Sequence, residues 1–458
     1  MFLSASNLNI SIRAEAKMVK LHIGFDDTDS PNGGCTTYIA ALLVEKLSNM
    51  GVSFTDYPRL IRLNPNVPWK TRGNGALCLS IECPEDSVDK IKATVIDTVE
   101  ANSELGYGGT DPGVVFISED VPKEIRDFAK KAEQTLLTIE EALNLIKMVN
   151  AEAVGFKKGR GIIGGLAAIG EDLSGDHTFE IISYRTPEYR DKPRRVQVLS
   201  VKTMDATAPL TFNNVDPETG RILITPRGPD PILCGVRGET PEAVKQAYEL
   251  IKVDEPVERW MIFRTNQGTD AHLRKVSVVA DIQPYNPVVA QGVVSKEPRV
   301  IQGGHVIFAI KDGTGEVDCA AYEPTVKLCK TARKLITGDV VKVFGGVRPS
   351  SSEHQLTINL EKMNVLELAP KTSFVNPSCP ECGKITKSMG KNQGFRCDKC
   401  GFRSSGLKKM EAREERGLET GLYITSPRSQ RHLTKPHRRY GREKVGAPKT
   451  MIENWHTP

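Results

Sequence analysis

Four cysteines near the C-terminus form the most specific chemical motif of this sequence. They make two Cys-x-x-Cys pairs separated by fourteen residues: Cys379, Cys382, Cys397 and Cys400. A glycine follows each pair, Gly383 or Gly401, and lets the backbone turn around the sulfur atoms. Four thiolates at this spacing predict a closed tetrahedral zinc site, and the alternative is two unrelated reduced pairs or a redox dithiol. Because no ligand position stays open, the predicted zinc is structural.

A second group of polar residues occupies segment 24–37, GFDDTDSPNGGCTT, between a predicted strand and a predicted helix. Asp26, Asp27 and Asp29 offer the hard oxygen ligands that Mg²⁺ prefers, and we assign the magnesium to Asp26 and Asp27. The residues that follow offer backbone N–H groups to phosphate oxygens at a helix start: Gly33, Gly34, Cys35 and Thr36. The segment therefore predicts adjoining metal and ATP sites. The alternative is a solvated acidic turn in which Thr36 or Thr37 only caps the helix.

A third segment, 157–165, combines cations with glycines ahead of an apolar run. Cations neutralise phosphate charge and glycines allow close backbone approach, so we expect these residues to contact ATP: Lys157, Lys158, Gly159, Arg160 and Gly161. The segment is not a Walker loop, because it lacks the GxxxxGK[ST] pattern. The alternative is a flexible basic turn.

The elements that must position these residues follow from hydrophobic periodicity. In the first part we predict strands at 19–25, 56–63, 76–82 and 113–117, helices at 38–47, 87–99 and 138–149, and a polar link at 118–131. A second α+β unit has predicted strands at 178–184 and 232–236 and a helix at 241–251. Beyond residue 287 the predicted order is three strands, one helix and two strands, which is typical of an OB barrel.

The barrel and the C-terminal tail carry features of nucleic-acid binding. OB barrels bind single strands by aromatic stacking and basic groove walls, and the candidates are Phe308, Tyr322, Lys311, Lys342 and Arg348. The tail at 428–449 carries eight Lys or Arg residues against one acid, Glu443. This run predicts a segment that tracks phosphates, and the alternative is a disordered solvated tail.

The whole-chain properties limit the class of protein. A length of 458 residues predicts three or four domains, and no stretch approaches the roughly 20 apolar residues of a membrane span. Six of the ten cysteines are scattered rather than arranged as a disulfide framework, which favours a reducing compartment. The first residues lack the long apolar region of a secretory signal, and Met18 is an alternative start. We therefore expect a cytoplasmic protein with no membrane partner and no obligate protein partner.

The motifs together resemble the archaeal isoleucine tRNA 2-agmatinylcytidine (agmatidine) synthetases over nearly the whole chain. The resemblance rests on the zinc pairs and on GFDDTDSPNGGCTT at 24–37, KGRGIIGG at 158–165, TFNNVD at 211–216, GPDPILCGVRGE at 228–239 and FRTNQGTD at 263–270. It implies a multidomain α+β fold. The implied parts are a kinase-like domain at 18–150, a ferredoxin-like domain at 151–273, an OB-fold at 280–370, a zinc ribbon at 371–405 and a basic C-terminal segment at 406–458.

The same resemblance implies the reaction. It implies an ATP-dependent ligase that joins agmatine to C2 of the wobble cytidine of isoleucine tRNA with a CAU anticodon, through a phosphorylated base, so that the tRNA reads AUA. In the family, the threonine that matches Thr37 is autophosphorylated, and the aspartates that match Asp26, Asp27 and Asp29 serve metal and catalysis. The partners implied are this tRNA and agmatine, and the cofactors are ATP, Mg²⁺ and structural zinc.

The residues that bind agmatine are harder to predict. Its guanidinium group needs carboxylate or carbonyl partners in a plane, and the family-like segment offers Asn213, Asn214 and Asp216. Two rival functions stay open: a non-catalytic single-strand-binding protein that uses the barrel and ribbon, and a phosphotransferase that acts on a small molecule. The first leaves segment 24–37 without a role, and the second leaves the C-terminal half unused.

Overall fold

The computed structural model describes residues 17–276, 278–447 and 450–457, which divide into two compact units. The first unit contains the described residues up to 274, residues 285–287 and those from 426 onward. The second unit contains residues 275–284 and 288–425, apart from residue 277. Within the described ranges, no helix has the length and apolar character needed to cross a membrane.

A ten-stranded sheet organises the first unit. Its strands are Met18–Asp26 (β1), Ser53–Phe54 (β2), Arg59–Arg62 (β3), Gly75–Pro84 (β4), Gly113–Ser118 (β5), Glu152–Gly155 (β6), Thr178–Arg185 (β7), Thr211–Phe212 (β8), Ile232–Gly238 (β9) and Val257–Thr265 (β10). Nine of them follow the order β6-β5-β1-β4-β3-β10-β7-β9-β8, and β2 pairs with β4. Strands β3 and β10 pair in parallel, with Arg59 opposite Arg264. This pairing joins the two α+β parts, which the sequence predicts as separate domains, into a single sheet.

The helices described in this unit pack on the two faces of the sheet: Thr36–Ser48 (α1), Val88–Asn102 (α2), Lys123–Gln134 (α3), Ile139–Met148 (α4), Gly161–Gly170 (α5), Val198–Thr207 (α6) and Pro241–Glu249 (α7). The alternation of side chains along β4 and β5 supplies both faces, while β1 contributes apolar side chains to one of them. One core contains α1, α2, α6 and α7, and the other contains α3, α4 and α5. The first core is the larger because it runs across both halves of the sheet.

Two local predictions for this unit are wrong, and several elements were missed. The polar link predicted at 118–131 contains α3, whose apolar residues Ile125, Phe128 and Ala129 are buried beneath a very polar outer face. Strands β2, β6, β8 and β10 and helix α6 were not predicted. The glycine-rich segment predicted as a loop up to residue 165 already belongs to α5 from Gly161 onward.

The glycines of α5 serve close packing against β1. A Cβ atom on Gly161 would lie 2.3 Å from the carbonyl oxygen of Asp26, and one on Gly164 would lie 2.0 Å from Asp26 Oδ2. On the facing strand, a Cβ atom on Gly24 would lie 2.0 Å from the carbonyl oxygen of Gly165. The helix therefore rests directly on the strand that ends at the acidic segment.

The second unit contains the predicted OB barrel. Its sheet includes Arg274–Lys275 (β11), Pro287–Val300 (β12), Val306–Lys311 (β13), Glu316–Ala321 (β14), Val340–Arg348 (β15) and Thr357–Glu367 (β16), and helix Lys327–Ala332 (α8) lies between β14 and β15 in the chain. Pairing of β12 with β15 closes the barrel, which confirms the OB-fold.

The zinc-ribbon region follows the barrel and then returns to it. Its strands are Thr372–Val375 (β17), Lys387–Ser388 (β18), Phe395–Arg396 (β19), Arg403–Ser404 (β20) and Met410–Arg413 (β21). Strands β18, β19 and β20 form one small sheet, and β17 pairs with β21 in another. The last strand, Gly421–Ile424 (β22), pairs with β16 and so belongs to the barrel sheet.

The C-terminal segment from 426 onward packs on the first unit instead of forming a free tail. Arg439 is fully buried and pairs with Asp176 at 2.8 Å and Glu239 at 2.8 Å. Trp455 packs into the larger core, and the backbone N–H of Ile452 donates to the Tyr57 hydroxyl at 2.7 Å. The prediction of a run of exposed, phosphate-tracking cations is therefore wrong for Arg439, because carboxylates of the first unit neutralise it.

The contact between β1 and α5 generates a stability prediction. Gly24→Ala should destabilise the protein by about 1–3 kcal/mol or more, because the added methyl group meets a backbone carbonyl that cannot move aside alone. The midpoint of urea denaturation measures the effect. Gly175→Ala is the matched control, since its Cβ atom would meet nothing within 4 Å. Equal midpoints for both variants would contradict the close packing.

Candidate active site

A cleft of about 250 Å³ opens in the first unit where β1 ends and α1 begins. The residues predicted from the sequence that line it are Asp26, Asp27, Asp29, Cys35, Thr36, Thr37 and Arg160. The loop between β3 and β4 forms a further wall, with Trp69, Lys70 and Arg72. The acidic segment, the start of α1 and one residue of the basic segment thus meet at one place.

The three aspartates of the cleft differ in their partners. Asp27 accepts a hydrogen bond from Arg160 at 2.8 Å, and Asp29 pairs with Arg72 at 2.7 Å. Asp26 has no ion-pair partner among the described residues. Burial raises the pKa of Asp26 to about 8, and the neighbouring carboxylate of Asp27 adds to the rise. At neutral pH the Asp26 carboxyl is therefore largely protonated, and a bound cation would favour its ionised form.

The backbone at the end of β1 is strained. Asp27 has a φ of 59°, in the left-handed region that a residue with a Cβ atom rarely adopts. Its Oδ2 atom also accepts from the backbone N–H of Asp111 at 3.3 Å. Such strain persists where surrounding contacts hold it, and it is concentrated at functional sites. Here it directs the second carboxylate of the segment into the cleft.

Helix α1 starts at the cleft without a side-chain cap. Its N-cap residue is Cys35, which makes no capping hydrogen bond, so Thr36 and Thr37 are the first two helical residues. The interpretation of either threonine as a capping residue is therefore wrong. The Thr37 hydroxyl lies 3.0 Å from Cys35 Sγ, and Thr28 Oγ1 donates to Thr36 Oγ1 at 3.0 Å. The positive end of the helix and the Thr37 hydroxyl both lie at the cleft wall.

Most of the basic segment faces away from the cleft. Lys157 Nζ donates to the carbonyl oxygens of Tyr107 at 2.5 Å and Thr110 at 2.7 Å. Lys158 is exposed, and neither lysine lines the cleft. Gly159 and Gly161 turn the backbone into α5 and also lie outside the lining, so only Arg160 of the five residues reaches it.

A second cavity of about 270 Å³ adjoins the cleft and shares Thr37, Arg62 and His432 with it. Of the residues predicted to bind agmatine, only Asn213 lines this cavity. Its side-chain amide donates to Gln430 at 2.8 Å. Among the described residues, Glu180 supplies the one carboxylate of the lining.

Asn214 and Asp216 are buried away from both cavities. The Asn214 amide donates to Thr211 Oγ1 at 2.7 Å and to Asp205 at 3.1 Å. Asp216 pairs with Arg428 at 2.6 Å and accepts from the backbone N–H of Glu218 at 2.9 Å. Both side chains therefore stabilise the fold around the C-terminal segment.

The four cysteines of the second unit form a compact cluster. All four sulfur atoms lie within 4.8 Å of one another, with Sγ–Sγ distances of 3.4 Å for Cys379–Cys400 and 3.4 Å for Cys382–Cys397. Backbone N–H groups of Cys400 and Lys399 point at the Cys397 sulfur and lower its pKa to about 6. A thiolate-rich cluster of this size is suited to one tetrahedral zinc ion.

Comparison with known protein families decides the assignment. The TiaS TCKD domain matches residues 22–158, the TiaS FLD domain 159–272, the OB-fold nucleic acid binding domain 288–366 and the TiaS C-terminal zinc ribbon domain 376–418. The isoleucine tRNA 2-agmatinylcytidine synthetase TiaS of Pyrococcus horikoshii is 44% identical over 419 residues, which cover 91% of this chain and 96% of that protein. The chain belongs to this synthetase family.

Further relatives extend the similarity to solved structures. The synthetase of Methanocaldococcus jannaschii is 44% identical over 92% of this chain and 98% of its own length. A crystal structure of TiaS in complex with its isoleucine tRNA and ATP has a TM-score of 0.82 at 39% identity and covers 91% of this chain and 97% of its own. A complex of TiaS with the tRNA, AMPCPP and agmatine has a TM-score of 0.81 at 39% identity, with coverage of 91% and 96%.

Several cleft residues of this synthetase-family chain were missed by sequence reasoning. The loop at 64–74, NPNVPWKTRGN, supplies Trp69, Lys70 and Arg72, and Asp230 and His432 come from distant segments. The loop carries a usable signal, because two prolines, a glycine, a tryptophan and two cations lie together between two predicted strands. His432 had no such signal, since nothing local indicates that the C-terminal segment returns to the first unit.

The Asp216–Arg428 ion pair generates a prediction that separates a structural role from agmatine binding. Asp216→Ala and Arg428→Ala should each lower the free energy of unfolding by about 3 kcal/mol or less, because each leaves a charge without its partner. Glu218→Ala removes a more exposed partner of Arg428 and should cost under about 1 kcal/mol. The KM for agmatine and the KM for ATP should change in parallel. A stable Asp216→Ala variant with a raised KM for agmatine alone would restore the direct binding role.

Proposed function

We propose that this chain is an ATP-dependent ligase that joins agmatine to the wobble cytidine of isoleucine tRNA with a CAU anticodon. The main support is the family match, which extends over 91% of the chain. In the fold, the acidic segment, the start of α1 and Thr37 also meet in one cleft. A relative at 39% identity was crystallised with its isoleucine tRNA, the ATP analogue AMPCPP and agmatine. The chain therefore has the parts for activating and for binding all three substrates.

The proposed chemistry follows from the poor leaving-group character of the C2 oxygen of cytidine. The family resemblance implies that ATP is consumed to AMP and phosphate, so two phosphoryl groups leave the nucleotide. One is transferred to this oxygen and turns it into phosphate, a better leaving group, and the other is transferred to water and released as phosphate. The primary amine of agmatine then attacks C2, the C–O bond breaks, and phosphate leaves while the amine loses a proton. Such transfers depend mainly on positioning and on neutralising charge in the transition state.

Asp26 and Asp27 are the residues that we propose for a divalent cation. The raised pKa of Asp26 and its lack of an ion-pair partner among the described residues fit a site that gains stability from a cation. Mg²⁺ at these carboxylates would neutralise charge on the phosphate oxygens of ATP. Arg160 orients Asp27 through a 2.8 Å hydrogen bond, and Arg72 orients Asp29 through a 2.7 Å ion pair.

Thr37 is the proposed nucleophile or phosphoryl carrier of the cleft. This residue belongs to the lining of both the main cleft and the second cavity. The uncapped start of α1 adds backbone N–H groups that favour phosphate, and Thr36 and Cys35 belong to the same turn. A group transferred at this point would lie between the nucleotide side and the second cavity.

The second cavity is the space that we propose for agmatine. Its mixture of aliphatic walls and a few polar groups suits a flexible four-carbon chain with polar ends. Asn213 is a candidate partner for a cationic end, and Glu180 would become one by exchanging its 3.0 Å ion pair with Arg237 for the ligand. The remaining residues predicted to contact ATP keep a supporting role, because they shape the backbone on either side of the cleft: Gly33, Gly34, Lys157, Lys158, Gly159 and Gly161.

We also propose a cytoplasmic location and a structural zinc ion. All ten cysteines are free, as a reducing compartment requires. The ribbon at 376–418 has a small apolar core, so metal affinity would supply much of its folding free energy.

Labelled agmatine tests the proposed function. The full-length chain should transfer the label to bulk archaeal tRNA only with ATP, and nuclease digestion should recover the label in one modified cytidine. AMP should form only when agmatine and tRNA are both present. Label transfer to another nucleoside, or AMP formation without tRNA, would contradict the proposed reaction.

Substitutions in the cleft test the proposed roles. Asp26→Asn and Asp27→Asn should lower turnover at least about 100-fold, because a charge-neutralising site is lost, while tRNA binding stays near that of the wild type. Thr37→Ala should also lower turnover, and Thr37→Ser should keep much of it because the hydroxyl remains. Asp89→Asn, an exposed change on α2, is the control. Wild-type turnover by Thr37→Ala would rule out a covalent role for this hydroxyl.

A further inference from the structure

A third cavity, of about 470 Å³, has only cations among its charged lining residues. The loop after β3 and the C-terminal segment form it, and its charged lining residues are Arg62, Lys70, Arg72 and Arg431. No acidic residue of the described chain occurs in that lining. Because unlike charges normally alternate on protein surfaces, four cations around one space indicate a site for an anion.

The four cations differ in their partners. Arg72 is neutralised by Asp29 at 2.7 Å and Asp230 at 3.2 Å, and Arg431 donates to Asn66. Arg62 and Lys70, in contrast, form no ion pair with any described residue. The Nε atom of Arg62 is buried without a hydrogen-bond partner. A buried guanidinium N–H without a partner is costly, so a ligand that accepts from this group would stabilise the folded state.

The local electrostatics agree with this geometry. Burial lowers the pKa of Arg62 to about 10; the negative charge of Glu180 opposes this shift, and the nearby guanidinium of Arg237 adds to it. Burial and the charge of Arg431 also lower the pKa of Lys70. Both shifts report a cost of holding positive charge here, which a bound anion would remove.

The neutral imidazole of His432 lies at the same place. Its Nδ1 atom lies 2.9 Å from Arg237 Nη2, a donor, and 3.0 Å from Gln267 Oε1, an acceptor. Burial and the charges of Arg62 and Arg237 keep the pKa of His432 well below its usual value, so the ring is neutral. A Cβ atom on Gly73 would lie 2.8 Å from Arg62 Nη1 and 2.9 Å from His432 Nε2. The arginine and the imidazole ring therefore lie on the same side of the loop.

We propose that this basic cavity binds a phosphate group, with Arg62 and Lys70 as its cationic ligands and the neutral His432 ring as part of its wall. The group belongs either to the nucleotide or to the RNA backbone, and the identity of these substrates rests on the proposed function. Arg62 and His432 also line the main cleft and the second cavity, so the phosphate would adjoin Thr37. His432 lies beyond the last domain matched by the family, which ends at residue 418.

Binding measurements on the full-length chain test this site and distinguish the two sources. Arg62→Gln and Lys70→Gln each remove one charge, and Lys70 is exposed enough that its replacement does not disturb the core. Arg126→Gln on α3 is the matched control, since it removes one exposed charge outside the lining of this cavity. The dissociation constants of ATP without tRNA and of the isoleucine tRNA without ATP are measured over a series of salt concentrations.

If the site takes a nucleotide phosphate, both variants weaken ATP binding about tenfold and leave tRNA binding unchanged. If it takes an RNA phosphate, ATP binding is unchanged, tRNA binds more weakly, and the slope of log K against log salt falls by about 0.7–0.9. Unchanged binding of both substrates in both variants, with wild-type thermal unfolding, overturns the site. Because neither assay needs turnover, failure of the agmatine reaction would be seen separately.

Discussion

The approach of α5 to β1 is the packing constraint on which the cleft depends. Gly161 and Gly164 place the helix against the backbone and carboxyl group of Asp26, at distances that no Cβ atom could tolerate. The same contact brings Arg160, at the start of α5, within 2.8 Å of Asp27, although 133 positions separate the two residues in the chain. This helix–strand contact therefore creates the site that local sequence only suggests.

The charges of the cleft are arranged as a chain of partly neutralised pairs. Arg160 neutralises Asp27 and Arg72 joins Asp29 to Asp230, while Asp26 and Arg62 stay without ion-pair partners among the described residues. One carboxylate and one guanidinium without partners, in the same cleft, suit a ligand that brings both a cation and phosphate groups. A metal–nucleotide complex meets this requirement, because its cation and its oxygens can satisfy opposite charges at once.

Much of the fold could be predicted from the sequence, because its signals were local. The zinc pairs, the periodicity of β1 and α1, and the strand order of the barrel depend on residues near in sequence. The parallel pairing of β3 with β10, the buried state of Arg439 and the role of Asp216 could not be predicted, since each depends on segments distant in the chain. The glycines at 161–165 were correctly predicted to allow a close backbone approach, but they pack against strand β1 and not against a phosphate.

The C-terminal segment contributes to the cleft, because the chain returns to the first unit after it has formed the second. Residues 288–425 belong to the second unit, and the chain then returns to the first unit, where Trp455 enters the core and His432 lines all three cavities. The first unit therefore lacks part of its core and one side chain of its cleft until the last residues are in place. The ion pairs of Arg439 and Arg428 hold this segment on the first unit, so these cations stabilise the protein itself. Truncation after the ribbon would therefore damage the cleft as well as any contact with RNA.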